Sequence, residues 1–230
     1  MLLLGLDTAT PAVTVALHDG GQPLAQLVTV DAHRHAELLM PSIAKVIADA
    51  GVSQRDLTGI AVGVGPGPYT GLRVGVVTAK VLGAALGIPV YGVSTLDVIA
   101  ADAEGERSFL VATDARRREL YFARYDETGR VAGPDVSAPA LIPDRLLPVA
   151  GEGPMLYPEL FPSSVGPAYP AAATLCRLVA AAVARGETVP DDGGEAAGPD
   201  GRRTILLPPV PLYLRRPDAR EPGAPKRVTP

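Results

Sequence analysis

The chain has 230 residues, 47% hydrophobic but only 4% aromatic and without tryptophan, so aliphatic side chains must fill its interior. A formal net charge of −4 is too mild for a broad electrostatic grip on nucleic acid, though it leaves room for a local basic patch. Cys176 is the one cysteine, which excludes an intrachain disulfide, and no uncharged apolar run reaches the ~18 residues a bilayer requires.

Residues 2–7 (LLLGLD) read as a buried strand that delivers Asp7 to a turn. Residues 12–18 and 24–30 read as two more strands, separated by a short turn at Gly20 and Gly21. Over 34–50, Leu38, Leu39, Ile43, Val46, Ile47 and Ala50 recur at helical spacing, with Pro41 a place for the helix to start or kink. Residues 58–64 are strand-like, GPGPYTG forms a loop, 71–86 a second helix, 88–93 a buried strand and 95–103 a third helix. The order βββαβαβα is that of an α/β, actin-like (ribonuclease H-like) lobe: three strands joined by short turns, then two right-handed crossovers. A doubly wound sheet would need parallel strands from the outset, which those early turns oppose.

The second half has weaker patterning. Residues 108–115 and 119–126 read as a hairpin around Arg116, Arg117 and Arg118. The stretch 130–170 is Pro-rich without clear periodicity, and an apolar helix follows at 171–185, carrying Cys176 as a buried structural thiol. Residues 190–203 (PDDGGEAAGPDGRR within the stretch) have a linker's composition, and the tail 217–230 is polar and Pro-rich, with disorder expected in both. The expected division is a first lobe at 1–104, a reduced second α/β lobe at 105–216, and the tail. The N-terminus meets Asp7 too early for a signal peptide and has no basic region, which with the missing apolar run gives the expectation of a cytoplasmic protein.

Four features carry candidate chemistry. Asp7 and Thr8 end the first strand, where a carboxylate can organise metal and phosphate or simply form a turn. Gly65, Gly67 and Gly71 join a strand to a helix, a geometry that suits an anion or a tight structural turn; the spacing is neither GxGxxG nor a Walker loop. Gly71, Gly75, Ala79 and Gly83 form an i, i+4 stripe of small residues that admits another backbone, either this chain's own sheet or a partner's helix. The three arginines form either a solvated turn or a phosphate contact to RNA or nucleotide. His33 and His35, at i, i+2, make a poor metal pair, and no catalytic or metal motif is visible.

LLLGLDTAT, GVGPGPYTGLRVGVVTAKVLGAALGIPVYGVSTLDVIA, TDARRRELY and PLYLRRPDA together resemble the bacterial TsaB (YeaZ) family of the tRNA threonylcarbamoyladenosine machinery. The resemblance covers residues 1–125 clearly and 171–220 weakly. It implies a reduced actin-like fold that pairs, through two helices of its first lobe, with the catalytic TsaD subunit or with a second copy of itself. An ATPase subunit, TsaE, joins that assembly, which transfers threonylcarbamoyl to the adenosine beside the tRNA anticodon. DVIA follows GVSTL here, so the His-x-x-x-His metal pair of TsaD is missing. Carried onto this chain, the interface comprises Leu38, Leu39, Ile43, Val46, Gly71, Val74, Gly75, Thr78, Ala79 and Leu82. No cofactor follows firmly, ATP or ADP at a subunit interface being the candidate. Pro68-Tyr69 departs from the more frequent Ser-Phe, and the 190–203 stretch looks like an insertion. The expected function is a non-catalytic scaffold subunit; the alternative is an actin-like ATPase or kinase using Asp7 and the Gly65–Gly71 loop.

Overall fold

The structure, a computed structural model, describes residues 1–103, 107–190 and 204–215. The linker-like stretch from residue 191 to 203 and the tail 217–230 lie outside the described residues.

Two sheets organise the chain. Strands β1 (Leu3–Asp7), β2 (Ala12–His18), β3 (Pro23–Val30), β4 (Gly59–Gly63) and β5 (Val90–Val93) form the first, in the order β3-β2-β1-β4-β5. The β1–β2 and β2–β3 pairs are antiparallel; β1–β4 and β4–β5 are parallel, each crossover carrying a helix. This is the actin-like arrangement that the short early turns and later crossovers predict. The crossover helices are α1 (His35–Asp49) and α2 (Tyr69–Leu86), followed after β5 by α3 (Thr95–Ala100). Pro41 gives up its N–H within α1, yet the helix runs through it, with the Ser42 hydroxyl donating to the Leu38 carbonyl at 2.8 Å. Gly87 closes α2 in the left-handed region at φ 66°, which glycine enters without steric penalty.

The second sheet has the order β8-β7-β6-β9, from β6 (Ser108–Asp114), β7 (Leu120–Asp126), β8 (Gly129–Ser137) and the two-residue β9 (Val149–Ala150). The hairpin expected around the arginines is β6–β7. β8 was hidden in the sequence because Gly133 and Pro134 interrupt its alternation, and the β7–β8 register shifts nearby. The one-turn helix α4 (Gly153–Leu156) then precedes α5 (Ala172–Ala184).

Alternation along β1 sorts the core. Leu4 and Leu6 face α1 and α2 with Leu39, Ile43, Val46, Leu72 and Val76; Leu3 faces α5 with Leu175, Cys176 and Val179. Each such fully buried aliphatic side chain contributes roughly 1.5–3 kcal/mol. Gly5 is what lets α5 lie so close: a Cβ there would stand 2.5 Å from Cys176 Sγ and 2.6 Å from the Ala172 carbonyl oxygen. Cys176 is fully buried, and burial pushes its thiol pKa up, so it packs as a small apolar group.

Residues 204–215 strap the first sheet to the arginine turn. Leu207 exchanges both backbone hydrogen bonds with Gly92, and Leu212 N–H donates to the Val64 carbonyl at 2.8 Å. Tyr213 stacks on Tyr69 with ring centroids 4.9 Å apart, and Arg73 donates to the Tyr213 hydroxyl at 2.8 Å. Arg215 donates to the Ala115 carbonyl at 3.1 Å and pairs with Glu119. Among the described residues no helix is long and apolar enough to cross a membrane.

Candidate partner interface

α1 and α2 lie side by side on one face of the first sheet, and each has a second face that is exposed among the described residues. On α1, Met40 is 46% exposed; on α2, Val77 and Val81, one turn apart, are 55% and 60% exposed. Leu38, Val74, Thr78 and Leu82 sit half-buried between those outer residues and the core. Three large apolar side chains so exposed on neighbouring helices, with Ala44, Ala48, Ala84 and Ala85 also exposed, make an apolar surface of the kind that marks association.

The other residues expected there point the opposite way. Leu39, Ile43 and Val46 are at most 1% exposed, and Gly71, Gly75 and Ala79 are likewise buried, all against this chain's own sheet. The small-residue stripe admits this chain's own first sheet, Gly71 lying against the Thr8 carbonyl just past β1. The Thr8 hydroxyl donates to the Gly71 carbonyl at 2.7 Å and accepts from Gly75 N–H at 2.9 Å. A Cβ at Gly75 would stand 2.5 Å from that hydroxyl, and one at Gly83 would collide with Val90. The stripe therefore positions α2 on the sheet, and the residues beside it remain open.

Asp7 is sealed. It is fully buried; its carboxylate accepts Ala9 N–H at 2.7 Å and the Thr95 hydroxyl at 2.8 Å. Thr95 in turn accepts Gly65 N–H at 3.2 Å, so the carboxylate holds the β1 turn, the glycine loop and α3 together. Burial pushes its pKa up to about 6, against the lowering effect of the Ala9 and Thr95 hydrogen bonds. Gly63 lies under the carboxylate and Gly67 under the Ala9 carbonyl, in contacts that no Cβ would permit. Glycine in this loop thus serves internal packing.

Thr8, Gly71 and Arg116 do converge. They line a cavity of about 290 Å³, with His35 and Tyr69, at the start of α1 and α2, while Asp7, Gly65 and Gly67 do not. His35 is buried with Nε2 2.8 Å from the Thr10 carbonyl, and His33 is exposed.

The arginine turn has an unusual backbone. Arg116, Arg117 and Arg118 have φ of 60°, 54° and 61°, three consecutive residues in the left-handed region at about 1–2 kcal/mol each. All three are exposed. Behind them Glu152, only 5% exposed, accepts Asp114 N–H at 3.2 Å. Burial, the largest influence, pushes its carboxyl up to about 7. Sequence reasoning missed Glu152, because it lies in the aperiodic stretch 130–170 and nothing nearby in the sequence marks it.

Comparison with known proteins adds an independent line. Residues 28–152 match the family described as TsaD, tRNA N6-adenosine threonylcarbamoyltransferase. An uncharacterized protein of Mycobacterium tuberculosis is 45% identical over 226 residues, covering 95% of this chain and 93% of that one. The tRNA threonylcarbamoyladenosine biosynthesis protein TsaB of Escherichia coli is 35% identical over 166 residues, covering 66% of this chain and 69% of that one. The solved structure of YeaZ from Pseudomonas aeruginosa superposes with a TM-score of 0.70 at 32% identity, over 81% of this chain and 95% of that one.

Proposed function

We propose, from the premise that this chain belongs to the TsaB (YeaZ) family, that it is the non-catalytic scaffold subunit of a tRNA threonylcarbamoyladenosine assembly and binds a TsaD catalytic subunit through the outer faces of α1 and α2. Its work is in tRNA modification, as the name of the Escherichia coli relative, a tRNA threonylcarbamoyladenosine biosynthesis protein, indicates for that protein. TsaE joins the same assembly, tRNA is reached through the complex, and the setting is the cytoplasm. A homodimer through the same face is the competing state of the free subunit.

The observation that carries this reading is the apolar surface exposed, among the described residues, at Met40, Val77 and Val81 on two adjacent helices of the first lobe, the part up to residue 104. Half-buried Val74, Thr78, Leu82 and Leu38 would form the floor of the contact. The sealing of Asp7 supports it from the other side, since a fully buried carboxylate committed to Ala9 and Thr95 is poorly placed for phosphate chemistry. In the same reading Arg116 to Arg118 contact the RNA backbone, which explains charged side chains held in a costly turn.

The test is copurification of the catalytic subunit with a Val77→Asp, Val81→Asp double variant. Both positions are open to solvent, so the fold should survive and pairing should be lost. Normal pairing by the folded double variant would remove the interface assignment.

A further inference from the structure

On the α5 side of the first sheet, a cavity of about 480 Å³ lies where the two sheets meet. Small-molecule sites commonly occupy about 300–1,000 Å³ between structural units. α3 and α5 supply one wall; Phe109, Tyr125 and Arg130 of the second sheet supply the other. Its mouth is rimmed by the exposed Thr128, Gly129 and Arg185.

Arg130 makes this more than a surface dent. Its side chain is 7% exposed, and Nε stands 3.3 Å from Asp97 Oδ1. That oxygen already accepts the Tyr125 hydroxyl at 2.7 Å, and among the described residues Arg130 Nε meets no acceptor in hydrogen-bond geometry, its contact with Asp97 being an ion pair. A guanidinium carries five N–H donors in one plane, and the ion pair with Asp97 at Nε engages only one edge of it. It is well suited to a planar acceptor with two oxygens. Among the described residues, the other charges at the rim have partners: Asp126 accepts from Thr128 at 2.8 and 2.6 Å, and Arg185 holds Glu187 at 2.7 Å. The rest of the lining suits a flat apolar body. Phe109 and Tyr125 stack with ring centroids 5.5 Å apart, and Leu178 and Ala181 of α5 complete the apolar surface.

We infer that this cavity is a binding site for a small aromatic carboxylate, its ring along Phe109 and Tyr125 and its carboxylate on Arg130. Because both lobes contribute walls, an occupant would bridge them at a place separate from the α1–α2 face.

The experiment titrates the full chain with indole-3-carboxylate and, separately, with neutral indole, by calorimetry and amide NMR. Expected is saturable 1:1 binding of the carboxylate, about tenfold tighter than indole, with shifts gathered at Phe109, Tyr125 and Gly129. Ala181→Phe should abolish binding by filling the cavity from an exposed helix position, with an unchanged melting temperature. Arg130→Lys should weaken the carboxylate about tenfold and leave indole as it was. Equal binding of the two probes, undiminished binding by folded Ala181→Phe, or no saturable binding of the carboxylate would each overturn the proposal.

Discussion

The hydroxyl of Thr8 accepts the N–H of Gly75 at 2.9 Å, joining the end of β1 to the middle of α2. The contact exists because residue 75 has no side chain. Gly75→Ala places a methyl 2.5 Å from that hydroxyl. It should destabilise the protein by about 2 kcal/mol, read as a fall in the urea midpoint. Val77→Asp, half a turn away and exposed, should stay within about 0.5 kcal/mol of the parent. Equal effects of the two substitutions would contradict the orientation of α2.

Asp7 should leave a signature in the pH dependence of stability. Its carboxyl is raised from 3.8 to about 6 in the folded state, first by burial. The folded protein therefore holds this proton more tightly than the unfolded chain does. The resulting stabilisation is fully present below about pH 4, declines as pH rises, and is gone above about pH 6. At roughly 1.4 kcal/mol per unit it amounts to about 3 kcal/mol. Denaturation of Asp7→Asn between pH 4 and 7 should show a shallower decline, the part that buried Glu152 contributes remaining; a variant that keeps the full parental slope would disprove the assignment.

Arg118→Gly should stabilise the chain by about 1 kcal/mol, because glycine enters the left-handed region freely and Arg118 is held there at φ 61°. A rise of several degrees in melting temperature would show it. If the turn contacts RNA as proposed, the same variant should lower tRNA modification by the reconstituted assembly. Lower stability in Arg118→Gly would mean the turn is not strained.

Tyr213→Ala removes the stack on Tyr69 and the acceptor of Arg73. A loss of about 1–2 kcal/mol is expected. Amide exchange should quicken at Leu212, whose N–H meets the Val64 carbonyl, and leave β1 and β2 as they were. Uniformly faster exchange would show instead that the strap is part of the global core.

The first sheet and its helices were legible because those strands and helices are long, periodic and locally connected. Leu38 to Ala50 specify α1, and the turn at Gly20 and Gly21 forces β2 and β3 to be antiparallel. The candidate site was half legible. Spacing revealed that α2 carries a close-approach stripe, but not whose backbone it receives; only the position of Thr8 settles that. The same 3.6-residue period that makes Leu39 and Ile43 look like anchors also buries them, and it leaves Met40 and the Val77–Val81 pair outside. β8 was illegible where Gly133 and Pro134 break the alternation, and the strap was illegible because single backbone pairs such as Leu207 with Gly92 have no sequence signature.

α5 packs against β1 and β2, strands from the opposite end of the chain. During synthesis, then, the back of the first sheet stays uncovered until Ala184 has cleared the ribosome, long after β1 to β5 have emerged. Leu3, Ala61 and Val93 would be apolar targets for chaperones over that whole interval. A premature stop anywhere between β6 and α5 should yield a product destined for proteolysis, whatever the state of its helices on the other side.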